Sequence, residues 1–233
     1  MLLAPLLLIL AAAHPSGMSF EQTTRTVAAD GSLGPGVLSR VFYSGRRIRL
    51  EVGGGSGGAA FVLRLDEGRA WRLDPERKQA VELDIDRVRA QAQMDASMAG
   101  DLMGFGAEAP TPRPAALRGT RTIAGHVCKG FRITAGSTVM DLWLAPNLPV
   151  GIATFAEFLE WTGASASLGG LVSALEDLKG FPLETRTRVS VLGEVHETLS
   201  TVTRLTLDPG ASALFEVPAG YTTVREAPPA EVR

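Results

Sequence analysis

The sequence predicts an α+β fold: one large, twisted antiparallel sheet with helices packed on one side. Three observations carry that expectation. Most of the chain reads as short stretches of alternating apolar and polar residues, punctuated by Gly-, Asp- or Pro-containing turns. Three other stretches carry apolar residues at helical spacing. The connections between strands are short, so neighbours in sequence pair in space. The helices must then bury their apolar faces against the sheet, the only large apolar surface on offer.

The chain opens with MLLAPLLLILAAA, an apolar run from Leu2 to Ala13 that is too short to span a bilayer. Ala11 and Ala13 are placed for A-x-A cleavage, so residues 1–13 read as a secretory signal peptide, cleaved between Ala13 and Gly17. No Lys or Arg precedes the run, and no cysteine follows it to carry a lipid anchor. The expected location is periplasmic or secreted, with no integral membrane segment in the mature chain. A single domain is expected over 18–224, with a flexible tail over 225–233.

Strands are then expected over Phe20–Ala29, Val37–Tyr43 and Arg46–Val52. In the last of these Ile48, Leu50 and Val52 alternate with Arg47, Arg49 and Glu51, the pattern of a hairpin strand with one wet face. After GGGSGG the pattern resumes at Phe61–Leu65, Ala70–Leu73 and Gln79–Leu83, with DEG and DPE as turns. From Asp86 the period changes. DRVRAQAQMDASMAGDLM is rich in helix formers, with Asp84 or Asp86 as its cap and Met94, Met98 and Leu102 on one face. EAPTPRPAALRG is a Pro-rich connector. Strands return at Ile123–Thr134 and Ser137–Leu144. Helices are expected over Gly151–Thr162 and Ser165–Leu178, the second stopped by Gly180 and Pro182. Leu183–Leu192 and Glu194–Leu207 close the fold, and the Pro- and Glu-rich end after Tyr221 is expected to fray.

Composition excludes some functions. Of 233 residues, 45% are hydrophobic and 21% charged, and the net charge of −2 gives no global field for nucleic acid. There are 20 Arg against 3 Lys, spread along the chain without clustering, which reads as compositional bias. One cysteine, Cys128, allows no internal disulfide, so stability rests on the packed core.

TRTIAGHVCKGFRI, then VMDLWLAPNLPV, then Gly180-Phe181-Pro182-Leu183 and the closing LFEVPAGY resemble, in that order, the bacterial family of domain of unknown function 4412. The early hairpin FYSGRRIRLEV adds to the resemblance, which extends over Phe20 to Val224. That family is similar to the LolA- and LppX-like outer-membrane lipoprotein carriers. The resemblance implies a curved, incomplete antiparallel barrel with helices on its concave face, and in several members a hydrophobic ligand between sheet and helices. It carries over no catalytic residue.

Catalytic and metal readings are weak on their own terms. His126 and Cys128 share one face of a strand, and with His196 and a carboxylate they make a zinc site arithmetically possible. No CxxC or HExxH supports it. Alternation instead puts Val127, Phe131 and Ile133 on the core side of that strand, with His126, Cys128 and Arg132 facing out, and turns His196 outward too. Gly54-Gly55-Ser56-Gly57-Gly58 matches the G-x-S-x-G elbow in letters, but the residues after it read as a strand rather than a helix, so a hairpin loop is expected. The chain is therefore read as no enzyme, with no metal and no cofactor. The expected activity is binding or carrying an acyl chain, lipid or lipoprotein. Its site would lie at the helical faces of Met94, Met98, Leu102 and Met103 and of Phe155, Phe158, Leu159 and Trp161. The alternative is a periplasmic sensor or interaction module with a closed core and an envelope protein as partner. A hydrolase ranks third.

Overall fold

The computed structural model describes residues 17–53, 58–91, 94, 112–151, 174–175, 178–191 and 193–225. The strands are β1 (Gly17–Val27), β2 (Leu33–Ser44), β3 (Arg47–Val52), β4 (Ala59–Arg64), β5 (Arg69–Asp74), β6 (Gln79–Glu82), β7 (Ala115–Ile123), β8 (His126–Ala135), β9 (Thr138–Ala145), β10 (Phe181–Val191), β11 (Glu194–Thr206) and β12 (Thr222–Arg225). They form one 12-stranded sheet in the order β12-β6-β5-β4-β3-β2-β1-β11-β10-β9-β8-β7. Two meanders, β1 to β6 and β7 to β11, meet where β1 pairs antiparallel with β11.

This corrects the expected curved, incomplete antiparallel barrel with helices on its concave face. The sheet is mixed, because β12 runs parallel to β6. It is also open. β7 and β12 are the two terminal strands of the order and do not pair with each other. Among the described residues, one short helix is bounded at both ends, the 3-10 turn Ser212–Phe215. The helix expected from Asp86 is seen at 85–91 and at Met94, and Asp84 caps it by accepting from Arg87 N at 3.1 Å. Of the residues expected in the two later helices, Ala174 and Leu175 are helical, while Gly151 and Leu178, the expected outer ends, are not. Residues 152–173 lie outside the described residues. Among the described residues no helix is long and apolar enough to cross a membrane.

The strand expected over Ile123–Thr134 is the end of one strand, a turn and then another. Ala124 and Gly125 both take positive φ, 47° and 81°, the geometry of a two-residue hairpin turn. β7 therefore occupies the end of the Pro-rich connector. The frayed end also needs correction, since Thr222–Arg225 pair with Gln79–Glu82.

The register sorts side chains by charge. Across β3, β2, β1, β11, β10 and β9, the acidic and Arg residues fall on one face, apart from Glu194 at the exposed β10–β11 tip. On that face they pair directly across strands. Arg40 meets Glu21 at 3.2 Å, Arg188 donates to Glu197 at 2.8 Å, and Arg132 binds Asp141 through two 2.6 Å bonds. Arg186 Nε also lies 2.8 Å from Glu197, but off hydrogen-bonding geometry. Planar Arg suits such pairing better than Lys.

At the β3–β6 end, the C-terminal segment covers the charged face. Val217 and Tyr221 pack on Ala60, Val62, Trp71, Leu73 and Ala80. Arg64 joins this segment to the β4–β5 turn: it donates to both oxygens of Asp66 and, at 2.6 Å, to Glu216. The hydrogen bond from Arg64 is the main reason that Asp66 is held below its ordinary 3.8. A carboxyl lowered by folding stabilises the fold above its unfolded value, and that contribution vanishes as pH falls through the folded value. Asp66→Asn is therefore expected to be less stable than the parent near neutrality, with the two converging towards about pH 2 in urea titrations.

Candidate functional site

The uncharged face holds a cavity of about 370 Å³. It lies over the middle of the sheet, reaching from β3 to β9. Its apolar lining includes Val41, Ile48 and Leu50 on one side and Met140, Leu142 and Leu183 on the other. Leu175, fully buried, packs with Ile133, Met140, Leu142 and Leu144 and lines the same space. Period-two alternation places these residues there, because the charged positions of the central strands fall on the other face.

Three aromatic rings form one wall. Phe20 stacks on Tyr43 with centroids 6.2 Å apart, and Phe181 meets Phe20 edge-on at 5.3 Å and Tyr43 at 6.4 Å. Tyr43 is only 4% exposed, and burial pushes its phenol well above the ordinary value. It stays neutral at any physiological pH.

A stripe of uncharged polar side chains crosses the floor. Gln22 pairs with Ser39 across β1 and β2, Thr24 with Ser200 across β1 and β11, and Ser200 with Thr185 across β11 and β10. Gln22 donates to Thr24 at 3.4 Å, and Thr24 shares a 2.8 Å hydrogen bond with Ser200. Thr187 extends the stripe along β10. No charged residue lines the cavity among the described residues.

The residues expected to form the ligand site are placed as follows. Met94 is helical and 62% exposed. Met98, Leu102, Met103, Phe155, Phe158, Leu159 and Trp161 lie outside the described residues. The sheet side of the cavity was not singled out from sequence. Its signal was present in the pairing of apolar with hydroxyl residues on one face of β1, β10 and β11, but finding it requires the register between strands distant in sequence.

The His–Cys pair proves structural. Cys128 is fully buried and Val127 is 61% exposed, which reverses the expected burial at that end of β8 while leaving each residue on its expected face. The buried side changes along the strand: Cys128 and Gly130 are covered on the charged face, Ile133 on the cavity face. Arg121, opposite Cys128 in the register, reaches over the Trp143 ring at 4.2 Å and binds Glu184 at 2.6 Å, and this arrangement covers that side. Cys128 Sγ donates to the His126 carbonyl at 3.4 Å, and burial raises its thiol pKa. The native thiol is expected to resist a thiol reagent at neutral pH and to react on unfolding, and non-reducing gels should show monomer. His196 is exposed beside Glu194 at the far end of β11. Among the described residues no three of His, Cys, Asp and Glu are grouped to hold a metal. Gly53 and Gly58 flank an antiparallel β3–β4 hairpin, so a strand, not a helix, follows GGGSGG.

Solved structures offer distant likenesses. An uncharacterised conserved protein from Thermus thermophilus is 15% identical with TM-score 0.44, covering 91% of this chain and 91% of its own. MucB is 12% identical with TM-score 0.40, covering 88% of this chain and 58% of its own. A LolA superfamily protein from Nitrosomonas europaea is 14% identical with TM-score 0.34, covering 87% of this chain and 90% of its own. No curated protein matches the sequence. The family model that matches is that of a domain of unknown function, DUF4412, and it does so over residues 115–221, from the start of β7 to the end of the C-terminal cover, leaving the FYSGRRIRLEV hairpin outside.

Proposed function

We propose that the protein is a non-enzymatic periplasmic or secreted binding protein that carries a hydrophobic ligand on the uncharged face of its sheet. The cavity is the observation that carries this reading: about 370 Å³, walled by Phe20, Tyr43 and Phe181 and floored by aliphatic side chains. That volume lies in the range of small-molecule sites. Each methylene transferred from water into such a space contributes about 0.8 kcal/mol. The leader-like run at residues 1–13 supports the location. Met94, Met98, Leu102 and Met103, with Phe155, Phe158, Leu159 and Trp161, are the proposed apolar cover, released when the ligand leaves.

Native mass spectrometry of protein from its own host should show a co-purifying hydrophobic molecule. Nile red, a neutral apolar dye, should bind with a fluorescence gain. Leu142→Trp fills the cavity and should weaken dye binding by about tenfold or more. Arg132→Ala, on the opposite face, should leave it unchanged. A lipid-free protein that ignores the dye would instead be the closed-core interaction module.

A further inference from the structure

We infer that the cavity selects an electrically neutral amphiphile and holds its polar group over the Gln22–Ser200–Thr185 stripe. This rests on the binding reading above and names the ligand class for the same site.

The segregation of charge carries the inference. The six central strands supply a dozen ionised side chains to the other face, where most of them form ion pairs. To the cavity lining they supply only Gln, Ser, Thr and Tyr as polar groups. A carboxylate or phosphate drawn in would find no cation among the described lining residues, and an ammonium head would find no anion. Either ion would lose its hydration without a counter-charge. A wholly apolar ligand fits poorly too, because it would cover the stripe without bonding it. Ser39, Thr185 and Thr187 are half-buried, and among the described residues their hydroxyls have no side-chain partner. Hydroxyls both donate and accept, so they suit an ester, amide or alcohol head. The Tyr43 phenol, neutral and nearly buried, adds one more such group at the aromatic wall.

The test uses three probes sharing one lauroyl or dodecyl chain: monolauroylglycerol, laurate and dodecyltrimethylammonium. Each competes with Nile red for the intact protein, below its micelle concentration, at about pH 8. Monolauroylglycerol should displace the dye at a concentration about tenfold or more below either ion. Laurate should gain as pH falls towards its carboxylic acid form, while monolauroylglycerol stays flat. Thr185→Val and Ser200→Ala should weaken monolauroylglycerol by about three- to tenfold, and by clearly more than they weaken Nile red. Equal or better displacement by laurate or the cation at the higher pH would overturn neutral selection while leaving the binding reading intact. If Nile red itself does not bind, the binding reading fails and this inference falls with it.

Discussion

Phe215→Ala is expected to destabilise the protein by about 3–5 kcal/mol, read as a lower urea midpoint with little change in slope. Phe215 is fully buried at the end of the 3-10 turn Ser212–Phe215, which packs on β3 and β4. It sits on the charged face, where a phenyl ring would be misplaced without help. The Arg47 guanidinium lies 5.3 Å from its centroid, and Arg49 donates to the Leu214 carbonyl at 3.2 Å. The ring fixes the start of a cover that continues through Val217 and Tyr221 to β12. Its loss leaves a cavity and loosens the cover over Trp71, Leu73 and Val62 at the same time. Detachment of β12 would turn β6 into an edge strand with unpaired backbone and an apolar flank, so the variant should also aggregate on heating. Leu214→Ala separates the causes. Leu214 keeps its carbonyl bond to Arg49 whatever its side chain and is only half-buried, so its truncation should cost clearly less.

Ten of the twelve strands could be read from period-two alternation, and their turns from Gly45, Gly68, Gly136 and Gly193, all of which take positive φ. The other two could not. β7 follows a Pro-rich stretch, and seven of its nine residues, Ala115, Ala116 and Arg118 to Thr122, are exposed, so no apolar alternation marks it. β12 is a short parallel edge strand held by backbone pairing with β6, a long-range contact that composition cannot signal. Which strands finish the two ends of the sheet was equally hidden. Alternation says which residues share a face, but closure depends on which strands become edges, and that is decided by pairings between the two ends of the chain. Cys128 illustrates the same limit. Its parity put it with Arg132, and the register keeps it there, but that face is covered locally by Trp143 and Arg121. Parity fixes the face and not the burial. The cavity follows the same logic: the hydroxyls of β1, β10 and β11 were visible, their meeting in one stripe was not.

Trp143→Ala should cost a comparable 3–5 kcal/mol or so, and it should expose Cys128 to thiol reagents in the native state. The Trp143 ring is 7% exposed and is held on two sides. Arg121 lies over it, anchored by Glu184. Gly130, its cross-strand partner, lies close against it: a Cβ built there would stand 2.9 Å from Trp143 Cη2 and 2.9 Å from Leu117 Cβ. Gly130 is required by this approach, since its φ is ordinary. An added methyl in wild type must displace the ring or the neighbouring strand, so Gly130→Ala should destabilise by about 1–3 kcal/mol. Once the ring is gone, one of the two clashes is gone too, and part of the void is filled. Gly130→Ala should therefore cost much less in the Trp143→Ala background, with a coupling of about 1 kcal/mol or more between the two sites. Strict additivity would mean that the methyl is tolerated by strand adjustment and that Gly130 is not there for the tryptophan. The thiol readout is independent of that balance. If Cys128 stays unreactive in folded Trp143→Ala, the cover over it comes from Arg121 and Leu117 rather than from the indole.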